Sequence, residues 1–232
     1  MLLRLIGLIA LFSLALLALS GCASTPDAGD RKIPEELRSD FLRDYARLEP
    51  VGGDLLVWRW LNPEVDFGKY NRFMIETVDS VVPPAYRETQ RPNPKIVAAA
   101  TAYFREALAR ELGKRYEIVD SPGENVGRIS IALTSIQPSA RQLSNWQYLP
   151  IPLVVAGVSE MTGARERDVV AYMEGSITDS LNGELLMEMM KGRVGPAGRI
   201  RTIEDVTMEA IKPILDFWSE NYLQLLEDAK RR

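Results

Sequence analysis

The chain opens "MLLRLIGLIALFSLALLALSGCAST", and this stretch sets limits on everything after it. One arginine, Arg4, precedes an apolar run from Leu5 to Leu19. That charged-then-apolar layout is the layout of a secretory leader. At about 15 residues the run falls short of the ~20 that a membrane-spanning helix needs. It ends at Cys22, the only cysteine in a chain of 232 residues that has no histidine. No intramolecular disulfide can form. Zinc sites built from Cys and His are excluded. No imidazole is present to serve as the base of a Ser-His-Asp or Cys-His site. The fold must therefore be held by its hydrophobic core alone, and a chain that is 46% hydrophobic can supply one.

Leu19, Ser20, Gly21 and Cys22 resemble a bacterial lipobox, Leu-(Ala/Ser)-(Gly/Ala)-Cys. The resemblance implies a diacylglycerol on Cys22, cleavage after Gly21 and acylation of the new amino terminus. Two or three acyl chains, at ~0.8 kcal/mol per buried methylene, make such an anchor effectively permanent. The competing reading is an ordinary leader with an incidental cysteine. Ala23 stands where enterobacterial lipoproteins retained in the inner membrane carry aspartate. By the same resemblance the chain is expected in the outer membrane, lipid-anchored and facing the periplasm. "ASTPDAGDRK" (Ala23 to Lys32) is small and polar with Pro and Gly, which reads as a tether. Ten coil residues span roughly 17–19 Å. The expected organisation is a leader over 1–21, a lipidated N-terminus and tether over 22–33, and a single periplasmic domain over 34–232.

Net charge is −4 and the sequence pI about 5.2. Nucleic-acid binding calls for a basic face, so none is expected.

In the mature chain, Leu37, Phe41, Tyr45 and Leu48 recur at helical spacing and predict a helix from Pro34. "DLLVWRWL" (Asp54 to Leu61) reads as a strand, and "KYNRFMIETV" (Lys69 to Val78) as a second with one buried face. Asn93-Pro94 starts a helix whose stripe is Val97, Ala100, Phe104, Leu108 and Leu112, with Gly113 at its end. "RYEIVD", "RISIALTSI" and "DVVAYMEGSITDS" read as strands. Asn182-Gly183 predicts a type I′ hairpin turn, after which "ELLMEMMKGRV" returns. A long C-terminal helix is expected from a cap at Thr202, with Asp205 at the third helical position and Pro213 inside. One crossover and several hairpins give an α+β fold: a single mixed, mainly antiparallel sheet with helices packed on one face.

"FLRDYARLEP" (Phe41 to Pro50), "VDFGKYNRFMIETV" (Val65 to Val78), "YMEGSITDSLNGELL" (Tyr172 to Leu186) and "FWSENYLQLL" (Phe217 to Leu226) together resemble the domain-of-unknown-function 3313 lipoproteins of Gram-negative bacteria. The resemblance covers roughly residues 37–228. It implies an envelope location, a single domain and a non-catalytic role.

Among candidate sites, Glu174 and Asp179 are the pair that would suit carboxylate-based hydrolysis. Asp179, however, precedes the Asn-Gly turn, where aspartate serves geometry alone. Glu174 shares its strand face with Val170, Tyr172, Ser176 and Thr178, a mixed face that reads as solvated. "GVSEMTG" (Gly157 to Gly163) fails as a nucleophile elbow, because Met161 stands where glycine is needed. The methionines Met187, Met189 and Met190 read as adaptable core. The segment over 137–167 breaks the strand rhythm. Its Trp146, Tyr148, Leu149 and Ile151 are the candidate partner or ligand surface, or else part of the core. No catalytic residue, metal ligand or cofactor site is expected. The expected partners are the bilayer, through acylated Cys22, and an envelope protein. The main expectation is a binding or accessory envelope role, the alternatives being a small apolar-ligand or lipid carrier and a carboxylate hydrolase.

Overall fold

In a computed structural model of the chain, residues 32–51, 56–140, 167–195 and 203–231 are described. They belong to one compact unit, Lys32–Arg232. Its strands are β1 (Glu49–Pro50), β2 (Val57–Leu61), β3 (Arg72–Ser80), β4 (Glu117–Ile118), β5 (Val126–Ala140), β6 (Arg167–Asp179) and β7 (Leu185–Val194). Its helices are α1 (Pro94–Leu112) and α2 (Met208–Lys230). The strands form one sheet in the order β1-β2-β7-β6-β5-β3-β4. Pairing is antiparallel from β1 across to β5. It is parallel where β3 meets β5 and β4. The mixed α+β sheet read from the sequence is therefore the observed fold, and α1 is its crossover between parallel strands.

Both helices pack on one face. Asn93 caps α1 by accepting a hydrogen bond from the Lys95 N–H, and Pro94 occupies the first turn, where its missing donor costs nothing. Ala100, Phe104, Ala107, Leu108 and Leu112 are its buried stripe. From α2, Ile211, Ile214, Leu215, Trp218, Tyr222 and Leu226 lie in the same core as Phe73, Ile75, Ile129, Ile131, Met173 and Ile177 of the sheet. Full burial of an aliphatic or Phe side chain stabilises by roughly 1.5–3 kcal/mol, so this layer dominates cohesion. Met187, Met189 and Met190 are all buried, as their reading as core requires.

Three local expectations are corrected. The C-terminal helix starts at Met208 with Thr207 as its cap, and Ile203–Asp205 forms a separate 3₁₀ turn. Thr202 itself lies outside the described residues. The Asn182-Gly183 turn is not type I′, which needs positive φ at both residues. Only Gly183 has it, at 72°. The loop is longer, closed by the Asp179 N–H to Glu184 carbonyl and Gly183 N–H to Asp179 carbonyl bonds. Asp179 also accepts from the Leu181 and Asn182 amides, which holds the chain in this wider turn.

The third correction matters most. Residues 34–48 are not a helix. They form a strap with two short 3₁₀ turns, Glu35–Leu37 and Tyr45–Arg47. Asp40 between them sits at φ 68°, in the left-handed region that interrupts a right-handed helix. Asp44 then caps the second turn by accepting from the Ala46 N–H. The residues that are buried, Ile33, Leu37, Ser39, Leu42 and Leu48, do not follow a helical repeat. The apparent stripe places Phe41 and Tyr45 in the core, yet both are only half-buried.

Candidate functional site

The strap lies across the sheet face opposite the helices. Ile33, Leu37, Leu42 and Leu48 join Trp58, Tyr86, Val170, Tyr172 and Met190 in a second, smaller core. Alternation along β6 and β7 puts Tyr172, Glu174, Glu188 and Met190 on this face. Tyr172 lies opposite Gly192. A Cβ at Gly192 would come within 2.7 Å of the Tyr172 ring, so the glycine makes room for it.

Two carboxylates are sealed beneath the strap. Glu174 and Glu188 each have 0% exposure. Glu174 was expected on a solvated face. The strap buries it, and no periodicity within β6 could signal a cover arriving from 130 residues upstream in the chain. Ser39 Oγ and the Tyr45 hydroxyl donate to Glu174 Oε2 at 2.8 and 2.7 Å. The Ser39 N–H donates to Oε1 at 3.2 Å. Glu188 accepts from the Arg43 N–H at 2.7 Å and from the Arg47 guanidinium at 2.9 Å. Arg47 stacks over Trp60 at 4.1 Å from the ring centroid.

The electrostatics follow from burial. Desolvation raises the Glu174 carboxyl above its ordinary value, opposed by the bonds from Tyr45 and Ser39. Burial and the adjoining Glu174 push the Tyr45 hydroxyl up to about 12, so it stays a donor at neutral pH. Glu188 pairs across the sheet with Ser176, and Glu174 with Met190. The two acids are thus diagonal neighbours, about 7–8 Å apart at the backbone. Chemically this is a pair of acceptors used to hold a peptide segment by its amides, hydroxyls and one guanidinium.

The pair singled out from the sequence does not form. Five strand positions separate Glu174 from Asp179, or roughly 16 Å. Asp179 instead takes a hydrogen bond from the Tyr70 hydroxyl at 2.8 Å and the two turn amides. Burial would raise its pKa, but these bonds and nearby Lys69 outweigh it and hold it below the usual range. Ser39, Tyr45, Arg47 and Glu188 were not among the candidates. Glu188 carried a usable signal: one acid inside "LLMEMM", a run otherwise apolar.

A second feature is a cleft between the first turns of the two helices and the upper part of β5. Val82, Ile96, Val97, Leu133, Val206 and Ile211 line it, and its water-accessible interior is about 40 Å³. That is room for a few water molecules. Among the described residues no cluster of acidic, His or Cys side chains could hold a metal. None of the described helices is long and apolar enough to cross a membrane. Cys22, Trp146, Tyr148, Leu149 and Ile151 lie outside the described residues.

The fold and this face define an α+β domain: an open mixed sheet with helices on one side and an N-terminal strap on the other. The family model "Protein of unknown function (DUF3313)" matches residues 37–222, and the chain belongs to that family. It is similar to the uncharacterized lipoprotein YdcL of Escherichia coli K12, at 28% identity over 180 residues, which cover 76% of this chain and 77% of that one. Solved structures similar to it include the PelC dodecamer from Paraburkholderia phytofirmans. That match has 14% identity and TM-score 0.33, and covers 69% of this chain and 96% of that one. Another is XCC0632 from Xanthomonas campestris, at 10% identity and TM-score 0.39, covering 74% and 91% of the two chains.

Proposed function

We propose that this protein is a lipid-anchored envelope lipoprotein, attached through Cys22 in the outer membrane and facing the periplasm, that acts by binding rather than by catalysis. The lipobox at Leu19–Cys22 supports the anchor, and so does the lipoprotein name of its relative in Escherichia coli. The observation that carries the non-catalytic reading is the use of the two buried acids. Among the described residues, the hydrogen bonds that Glu174 and Glu188 accept come from the strap. Both acids hold the chain's own N-terminal segment, and with 0% exposure neither has open access to a substrate.

Two measurements test this reading. Metabolic labelling with an alkyne palmitate should tag the wild-type chain and leave Cys22→Ala untagged, and density separation of the membranes should place the tagged protein in the outer fraction. Photo-crosslinking from Trp146 or Tyr148 positions, followed by mass spectrometry, should capture an envelope protein. Turnover of a substrate by purified protein, lost on Glu174→Gln while the fold persists, would overturn the non-catalytic reading.

One observation favours a second reading, carriage of a small apolar ligand: the apolar cleft lined by Val97, Leu133 and Ile211. Its interior of about 40 Å³ is small against the ~300 Å³ of an ordinary ligand pocket, so the binding role above is the better supported.

A further inference from the structure

A second opening lies where the end of β2, the connection into β3, the start of β7 and the last turn of α2 meet. Its interior is about 560 Å³, whereas the cleft beside Val97 holds about 40 Å³. A volume of this size falls within the ~300–1,000 Å³ of ordinary small-molecule sites. Leu61, Val65, Phe67, Leu186 and Ala229 give it an apolar lining. Phe67, Leu186 and Ala229 are themselves part of the helix-face core, so packing fixes that lining in place.

The wall between β2 and β3 is tied down by hydrogen bonds. The Asn62 N–H donates to the Leu186 carbonyl, and the Asn62 side-chain amide to the Leu185 carbonyl, each at 2.9 Å. Asn62 Oδ1 accepts from the Glu64 N–H at 3.0 Å. Asp66 Oδ1 caps the 3₁₀ turn Phe67–Lys69 by accepting from the Gly68 N–H at 2.9 Å. Glu64 and Asp66 both line the opening. The Glu64 carboxylate accepts no hydrogen bond from another described residue.

The α2 wall carries the opposite charge. Lys230 lines the opening, and its ammonium sits 4.3 Å from the centroid of the Tyr116 ring, which positions it. The acid whose charge reaches it, Glu227, accepts from the Tyr116 hydroxyl at 2.6 Å. Burial lowers the Lys230 pKa against the pull of Glu227, because the ammonium has given up part of its water. Yet Lys230 forms no ion pair with Glu64, Asp66 or any other described residue. The opening keeps the two signs apart. A guest that complements it presents an acid group to Lys230, an ammonium to Glu64 and Asp66, and apolar surface to the lining between. A purely apolar guest would strip water from these charges without replacing it.

We propose that this opening binds a zwitterionic small molecule, one with an ammonium and an acid group at the two ends of an apolar stem. The site does not depend on the lipid anchor or on the strap.

The test is isothermal titration calorimetry on the full chain purified in non-ionic detergent, with the heat of titration into empty micelles subtracted. The probes are 6-aminohexanoate, hexylamine and hexanoate, which share a stem and differ in charge. The expected result is binding of 6-aminohexanoate at least five-fold tighter than either of the others. Lys230→Gln should remove that preference over hexylamine. Glu64→Gln should weaken 6-aminohexanoate at least three-fold and leave hexanoate unchanged. Asp66 is kept because it caps a turn. No binding of 6-aminohexanoate at millimolar concentration overturns the proposal, and so do equal affinities for the three probes. Unchanged binding in Glu64→Gln, whose carboxylate supports no other part of the fold, also overturns it. If a thermal melt shows Lys230→Gln unfolded, the Glu64→Gln result decides alone.

Discussion

The two faces of the sheet are covered in different ways. On one, α1 and α2 lay continuous apolar stripes against Phe73, Ile129, Ile131 and Met173. On the other, a strap with no long helix covers a smaller apolar patch and two buried acids. Each face holds a buried apolar cluster, but the energetics differ. The helix face rests on many interchangeable apolar contacts, and a volume-conserving change there is tolerated. The strap face depends on a few directional bonds, each of which needs its partner. Loss of one on this face should loosen a segment, whereas a cavity on the other should weaken the whole domain.

The largest expected effect is on the helix face. Trp218, 1% exposed and packed near Phe104, should cost about 3–5 kcal/mol on truncation to Ala, measured by urea denaturation. A cost below 1 kcal/mol would mean that the two faces do not differ as described. Next is the strap. Glu188→Ala leaves the Arg43 amide and the Arg47 guanidinium without their acceptor, at about 2–3 kcal/mol, discounted because Arg47 is partly exposed. Hydrogen exchange should show the loss as opening of residues 39–48 ahead of the helices. If all regions open together, the strap is not a separate unit. Gly192→Ala forces the Tyr172 ring to move and should cost about 1–3 kcal/mol, read by thermal melt.

The smallest effect is the sharpest in sign. Glu174 is raised by burial, so the folded state binds its proton more tightly than the unfolded chain does. Its contribution favours folding as pH falls through the raised folded value toward the ordinary glutamate value, and is lost as pH rises through the folded value. Asp179 is lowered, so its contribution is present above the ordinary aspartate range and is lost as pH falls through the depressed value. Denaturant midpoints at pH 7 and pH 5 separate the two. Glu174→Gln should lose ground relative to the parent at pH 5. Asp179→Asn should change little between these pH values and narrow its deficit only under stronger acid. The reverse pattern would mean that the buried acid is charged more readily than the turn acid.

Periodicity made the helix face readable in advance. The stripe from Ala100 to Leu112, the alternation of Ile129 and Ile131, and the crossover order are local patterns, each repeated over enough residues to be unambiguous. The strap defeats the same signal. Leu37, Phe41, Tyr45 and Leu48 imitate a stripe, and only the left-handed Asp40 and the pull of distant acceptors break it. Asp179 was legible as a turn residue because its partners are two and three residues away. Glu174 was not, because its partners are 129 and 135 residues away.

By itself, then, the sequence determined the lone cysteine at Cys22, the absence of imidazole and of an intramolecular disulfide, and the mixed sheet with its helical layer. These depend on residue identity and on short-range repeats. Only the tertiary structure decided what becomes of Glu174 and Glu188. Whether an acid on a strand meets water or a sealed set of donors depends on which segment comes to lie over it. That choice is made by the whole chain's packing, because burying a carboxylate is affordable only where hydroxyls, amides or a guanidinium arrive with the cover.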